Sequence, residues 1–301
     1  MFLMNYIVSV PVNENVASFI GKKGSDEGIT FFNRKMDADV IVAIMPYTRE
    51  ERLYQSLAET MLISGQIVIS TETVDKFLGE IIVAASLLEK RSIVLNENDV
   101  SKIVNGLLKD YEVCGREELL GKIVAHKEQH DGDLRIDVDK AFPVKGIGTV
   151  VLGVVTRGVV KVHDNLYHSS GKQVMIKSIQ SQDVDVQEAG YGTRVGLAVK
   201  GIEYEEMDKG DLLTSKQFPK AKGITAMLKT SSFANEKIEA GKRYLLVSNF
   251  SHVVAKVDEL DGQSAKLSFE KPIAILQGDS FMLIRDQSPR IFASGKASAT
   301  F

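Results

Sequence analysis

The 301-residue sequence has one cysteine, Cys114, so no disulfide can form within it and a reducing compartment is expected. No base is recognisable as a partner for that thiol, and it reads as a plain buried side chain, not a nucleophile. No stretch approaches the ~20 consecutive apolar residues of a membrane helix, so no membrane association is expected. The opening Met1-Phe2-Leu3-Met4 is apolar but lacks a basic flank and a sustained hydrophobic run, which argues against a signal peptide. A formal net charge of −3 excludes a globally basic chain. The expectation from these absences is a soluble cytoplasmic protein.

With 44% hydrophobic and 26% charged residues the chain has an ordinary globular composition, and its length suits two or three domains. Charge is unevenly divided. Residues 1 to 130 carry 14 Lys/Arg against 19 Asp/Glu, whereas 131 to 301 carry 23 against 21, so a polyanion would sooner meet the second part.

The grammar changes near residue 131. Before it, Tyr6 to Val12, Val40 to Ile44, Gln66 to Ser70 and Ser92 to Leu95 are short β-branched runs, mostly continuous, as in strands buried on both faces. Between them Glu50 to Ile63, Val74 to Leu88 and Val100 to Leu108 repeat apolar residues at helical spacing, and Glu117 to His130 reads as a last helix. Alternation of this kind predicts a small α/β domain with a parallel sheet. After residue 131, β-branched runs are separated by Gly, Asp, Asn and Ser turns, among them Gly148 to Thr156, Gln173 to Gln180, Arg194 to Val199, Ile224 to Lys229 and Ser280 to Ile284. A break at Lys216 to Gly223 divides this all-β part, giving expected domains at 1–130, 131–218 and 219–301, the last two antiparallel β-barrels. Gly146 and Gly148 punctuate a run that continues through Val150, Val151, Val154 and Val155, which predicts a sharp backbone event needing residues without Cβ.

The run Ala141 to Gly153 (A-F-P-V-K-G-I-G-T-V-V-L-G) resembles the second-domain signature of the EF-Tu and SelB class of translation elongation factors. The likeness continues through Ile176 to Asp183, Ala189 to Gly201 and the K-G-D of Lys209 to Asp211. Gly21 to Gly24 (G-K-K-G) and Gln180 to Asp185 are similar to wording in archaeal SelB-like factors, including EF-Pyl. The resemblance implies a reduced P-loop GTPase-like α/β domain followed by two barrels.

In that class the first strand leads into G-x-x-x-x-G-K-[ST], whose amides and lysine hold phosphates while the hydroxyl meets Mg²⁺. The matching Pro11 to Ser18 reads P-V-N-E-N-V-A-S, with Pro11 and Val16 at the glycines, Ala17 at the lysine and Glu14 adding an anion. Of that element Ser18 survives. Gly28-Ile29-Thr30 resembles the first switch, which leaves Thr30 as a second relic. The D-x-P-G-H element falls on Ile44 to Thr48, without the metal-linked aspartate or the water-positioning histidine. The guanine-reading N-K-x-D becomes Asn96-Glu97-Asn98-Asp99, which keeps Asn96 and Asp99 and reverses the charge between them. A helix cap explains Asp99 equally well. The expectation is an elongation factor paralog without hydrolytic activity and without a cofactor, GTP and Mg²⁺ being disfavoured.

For the barrels the resemblance implies a pocket for the aminoacyl end of tRNA. By position it falls on Asp139, Lys140, Phe142 and Arg194, whose bland alternative is surface charge, core and a structural ion pair. Lys216, Lys220, Lys222, Arg243, Arg285, Arg290 and Lys296 are candidate contacts to RNA phosphates. Expected partners are therefore tRNA or the ribosome. The rival readings are an interaction or scaffold protein, with a protein partner or homodimer formed through the altered α/β domain near Tyr47, and a factor that still binds GTP. Other constellations are discounted: Gly21 to Gly24 reads as a turn with two solvated lysines, Asp183 and Asp185 as a solvated strand face, and His126 with His130 as solvent-facing residues and not metal ligands.

Overall fold

The computed structural model describes residues 4–24, 28–37, 39–128, 132–234 and 237–301. They form two compact units, one of Met1–Lys127, Lys222–Lys271 and Leu276–Phe301, the other of Glu128–Ala221 and Pro272–Ile275.

The first unit opens with β1 (Met4–Ser9), α1 (Glu14–Ile20), β2 (Lys22–Lys23), β3 (Thr30–Met36), β4 (Asp39–Met45), α2 (Leu53–Ile63), β5 (Gln66–Ile69), α3 (Lys76–Leu88), β6 (Ser92–Leu95), α4 (Ser101–Val104), β7 (Tyr111–Cys114) and α5 (Leu119–Ala125). The strands lie in the order β2-β3-β4-β1-β5-β6-β7. From β4 to β7 every pairing is parallel, as the continuous apolar runs predict, whereas β3 is antiparallel to β4 and β2 to β3. Gly21 to Gly24 is therefore no turn: Lys22 and Lys23 make an edge strand opposite Asn33 and Phe32. A Cβ on Gly21 would sit 2.7 Å from the Asn33 carbonyl carbon, so the close approach of the two chains requires glycine there. The last helix also stops short of the predicted span, at Ala125. Side-chain caps set two of the helix starts: Asn13 Oδ1 accepts from the Val16 amide, and Asp75 Oδ1 from that of Leu78.

The second unit holds β8 (Arg135–Val144), β9 (Gly148–Arg157), β10 (Val159–Lys161), β11 (Asn165–His168), β12 (Gln173–Ser181), β13 (Val184–Val186), β14 (Glu188–Gly190), β15 (Arg194–Lys200) and β16 (Leu212–Thr214). Its main sheet runs β11-β16-β8-β9-β15-β12-β13, and an additional β11–β12 pairing brings the first and sixth strands of that order together. Ile136, Val138, Val151, Val155, Ile176, Leu197 and Leu213 fill the interior. Gly146 and Gly148 have φ of 82° and 99° in the turn joining β8 to β9, the event that the glycine spacing predicts.

The chain then returns to the first unit with β17 (Ala221–Thr230), β18 (Arg243–Ser248), β19 (Ser251–Asp261), β20 (Ser264–Ile273), β21 (Ser280–Ile284) and β22 (Ile291–Thr300), which close as β17-β20-β19-β18-β21-β22. This barrel and the α/β sheet share a core. Leu57 and Met61 of α2 and Ile82 and Leu87 of α3 join one buried cluster with Val247, Met282, Ile284 and Ile291. At ~1.5–3 kcal/mol for each fully buried aliphatic side chain, this shared core binds the two layers into one body. Among the described residues no helix is long and apolar enough to cross a membrane.

Candidate functional site

Of the four residues that the resemblance assigns to a tRNA-end pocket, Asp139, Lys140 and Phe142 lie on β8, and Arg194 opens β15. The β8–β9 register passes from Val138 opposite Gly153 to Lys140 opposite Leu152, which leaves Asp139 as the extra residue of a bulge. Gly153 permits the close approach here, since a Cβ would meet the Asp137 carbonyl oxygen at 2.7 Å. Arg194 is paired with Val154 on the next strand over, and its Nη2 stands 3.9 Å from Asp139 Oδ2, both side chains largely buried. Burial pushes the Arg194 guanidinium pKa down and the Asp139 carboxylate pushes it back up. Lys140 is exposed, with its ammonium 6.0 Å from the centroid of the half-buried Phe142 ring. The four residues thus form two adjoining pairs, one ionic and one cation over ring.

Two buried polar clusters of this barrel escape sequence reading. Arg135 forks onto Asp137 with two 2.9 Å hydrogen bonds, and Thr156 Oγ1 donates to the same carboxylate at 2.5 Å. Asp211, the last residue of K-G-D, accepts from His168 Nε2 at 3.0 Å, Ser169 Oγ at 2.6 Å, Lys220 Nζ at 2.6 Å and the Asp208 amide at 2.9 Å. The Ser170 amide donates to His168 Nδ1, which assigns the ring proton to Nε2. Ser169 points its hydroxyl at the carboxylate, so this Ser-His-Asp group is a joint between β11 and β16 and not a nucleophile with its base. Burial would raise the Asp211 pKa, but its four donors hold it well below the usual carboxylate range.

At the carboxyl edge of the α/β sheet, the loop after β1 enters the left-handed region at Val12, φ 45°, a conformation that costs a β-branched residue ~1–3 kcal/mol. Asn13 offsets this: beside capping α1, its Nδ2 donates to Ser70 Oγ at 2.9 Å and to Glu72 Oε2 at 3.2 Å. Ser70 donates to Glu97 Oε2 at 2.5 Å, the Thr71 amide donates to the same oxygen at 3.0 Å, and Arg116 Nη2 donates to Glu97 Oε1. Burial raises the Glu97 pKa, but these donors outweigh it and keep the carboxylate ionised. Glu14 forms an exposed ion pair with Lys23 at 2.9 Å.

Of the four positions expected as nucleotide-site relics, Asn96 and Asp99 line one small cavity with Leu95 and Val100. Ser18 is exposed on α1, Thr30 is buried at the start of β3 opposite Met45, and Asn96 is an exposed loop residue whose amide donates to the Cys114 carbonyl. Asp99 accepts from the Ser101 amide at 2.9 Å as a local cap, and the Ser101 hydroxyl together with that amide lowers its pKa. Cys114 is buried, and burial pushes its thiol up. Asp183, at φ 61°, lies in the turn between β12 and β13, and Asp185 on β13 accepts from Gln180. His126 ends α5 and His130 lies outside the described residues, among which no group of three or more His, Cys, Asp or Glu could hold a metal. The candidate phosphate contacts differ in setting: Lys216 pairs with Asp133 at 2.8 Å, Lys220 belongs to the Asp211 joint, Lys222 is the second residue of β17 and Lys296 sits on β22, while Arg243, Arg285 and Arg290 line one groove of the C-terminal barrel.

The family described as Elongation factor Tu domain 2 matches residues 148–214. The chain is 31% identical to the uncharacterized protein MJ0325 of Methanocaldococcus jannaschii, over 94% of this chain and 96% of that one. It is 44% identical over 84 residues to the selenocysteine-specific elongation factor of the same organism, and 30% identical over 172 residues to elongation factor 1-alpha of Picrophilus torridus. These stretches span only 18% and 40% of the two factors. In fold it is similar to the translation elongation factor SelB of Methanococcus maripaludis bound to a GTP analogue, with a TM-score of 0.79 at 19% identity, covering 100% of this chain and 80% of that one. With a relative matched along nearly its whole length and elongation factors matched across its barrel, the chain belongs to the SelB-like family of the EF-Tu class of translation elongation factors.

Proposed function

We propose that this protein is a non-hydrolysing elongation factor paralog that binds the aminoacyl end of tRNA through the barrel carrying Arg194. The observation that carries the reading is the Glu97 carboxylate. It stands where the resemblance puts a lysine, and it ties together three loops at the carboxyl edge of the sheet through Ser70, Thr71 and Arg116. Phosphoryl transfer depends on cations placed around the phosphates. Here the loop after β1 offers neither a lysine nor glycine amides, and its Asn13 side chain is engaged by Ser70 and Glu72. This α/β domain acts as a degenerate GTPase fold that keeps its shape without nucleotide.

The barrel supports the binding half of the reading. Arg194 and Lys140 supply positive charge beside Phe142, a combination suited to an anionic or polar aminoacyl group and the terminal ribose phosphate. The test is a titration of the purified protein with aminoacylated and deacylated tRNA at low salt, run with and without GTP and Mg²⁺. Salt-dependent preference for the charged tRNA, unchanged by nucleotide, is the expected result. Thermal stabilisation by GTP would overturn the nucleotide-free half, and absence of tRNA affinity would overturn the other.

A further inference from the structure

The start of α2 and strands β18 and β21 enclose a groove of about 470 Å³. Its charged lining consists of Lys242, Arg243, Arg285 and Arg290 against Glu51 and Asp286, and so is net positive. Two of the cations are fixed in place. The Arg285 guanidinium lies 4.6 Å from the centroid of the Phe292 ring, and its Nε donates to the carbonyls of Gln287 and Pro289 at 3.2 and 3.3 Å. The Arg290 guanidinium lies 4.7 Å from the Tyr54 ring, and its amide donates to Glu80 at 2.7 Å.

The two arginines flank the loop between β21 and β22, which the Arg285 amide closes by donating to the Arg290 carbonyl at 3.0 Å. Both side chains line the groove, so an anion bound there can meet both cations. Stacked guanidinium groups also lose little side-chain entropy on binding, and their planar forks match phosphate oxygens. Lys242 and Arg243 already meet Glu239 at 3.9 Å and Glu270 at 2.9 Å, but these are exposed pairs that water screens and a stronger anion displaces. Tyr54, Tyr244, Leu245, Val254 and Ile284 supply the aromatic and aliphatic part of the wall, beside the polar Gln55 and Gln287. The volume is that of a site for a small ligand of nucleotide size.

We infer that this groove is a phosphate-ester site, in which Arg285 and Arg290 hold the phosphate and the tyrosine wall takes the attached base. The phosphate belongs either to a free nucleotide or to an RNA strand. The RNA arm of the inference deepens the tRNA reading, to which Arg243, Arg285 and Arg290 already belong as candidate phosphate contacts, whereas neither the Arg194 face nor the Glu97 network contributes a residue to the groove.

The test is methyl NMR on the full chain at low salt with four probes: pyrophosphate, a nucleoside monophosphate without Mg²⁺, a short single-stranded RNA and polyglutamate. Expected are shifts of the Leu245, Val254 and Ile284 methyls with the phosphate probes, and affinity about tenfold weaker in R285Q and in R290Q, with R290K intermediate. Saturation by the monophosphate identifies a free nucleotide as the source, and tighter binding of RNA identifies a strand. Shifts absent with every phosphate probe, confined to methyls elsewhere or produced by polyglutamate alone would overturn the inference, as would unchanged affinity in both glutamine variants. Should a variant unfold, the map of shifts on the unaltered protein decides the question by itself.

Discussion

The backbone amide of Arg290 donates to the buried Glu80 carboxylate at 2.7 Å, so an α3 side chain holds the hairpin that closes the C-terminal barrel. The Ser288 hydroxyl donates to the same carboxylate, and Ser294 reaches the Leu87 carbonyl at 2.8 Å. With the shared apolar core, these bonds predict that the α/β sheet and this barrel unfold together. Glu80→Ala should remove ~1–3 kcal/mol. It should also lower the urea midpoint of one common transition, read in parallel by circular dichroism and by an NMR probe in β22. Two separated transitions in the unaltered protein would contradict the shared body.

Asp211 predicts an acid-sensitive joint in the other barrel. Its folded pKa lies below the unfolded-chain value of about 3.9. Its stabilisation is therefore complete above that value and is lost as pH falls through it toward the lower folded value. Asp211→Asn, which leaves Lys220 and His168 without the carboxylate, should cost ~3–5 kcal/mol at neutral pH and flatten the acid limb of the stability profile. Chemical denaturation from neutral pH down to about pH 3 measures both effects.

How much of this was legible in the sequence depends on where the controlling contacts lie. The β8–β9 hairpin could be read because the glycines that make its turn are local. The bounds of strand β22 could not: Ile291–Thr300 is rich in small and polar residues, and it is a strand because β17 and β21 pair with it on both sides. A Cβ on its Gly295 would meet the Phe281 ring at 2.7 Å, a constraint visible only in three dimensions. The nine residues Val100 to Leu108 yield only the four of α4, and β3 was hidden by polar residues midway along Thr30–Met36. The site shows the same division. The charge reversal at Glu97 is plain in the sequence, but its donors Ser70 and Arg116 lie on two other loops that only the parallel sheet brings together.

That network yields a third prediction. Glu97→Lys restores the charge that the resemblance places there, yet it removes the acceptor of Ser70, Thr71 and Arg116 and sets a cation beside Arg116. The variant should lose ~1–3 kcal/mol and gain no stabilisation from GTP and Mg²⁺, because the loop after β1 is unchanged. Differential scanning fluorimetry with and without nucleotide checks it. A nucleotide-dependent rise in the variant would show that this one carboxylate blocks the site.

On the barrel, Arg194 Nη2 stands 3.9 Å from Asp139 Oδ2, and the pair predicts separable effects. Arg194→Ala removes the largely buried guanidinium and should weaken binding of aminoacylated tRNA about tenfold or more, whereas Arg194→Lys keeps the charge but loses the planar fork and should recover only part of it. Asp139→Asn frees the guanidinium from its carboxylate while leaving its charge, so affinity should hold or rise as the slope against salt steepens. Filter binding at several salt concentrations distinguishes these outcomes. If Arg194→Ala lowers the thermal midpoint and leaves tRNA affinity unchanged, the pair is a structural tie between β8 and β15, and the tRNA reading of this face is wrong.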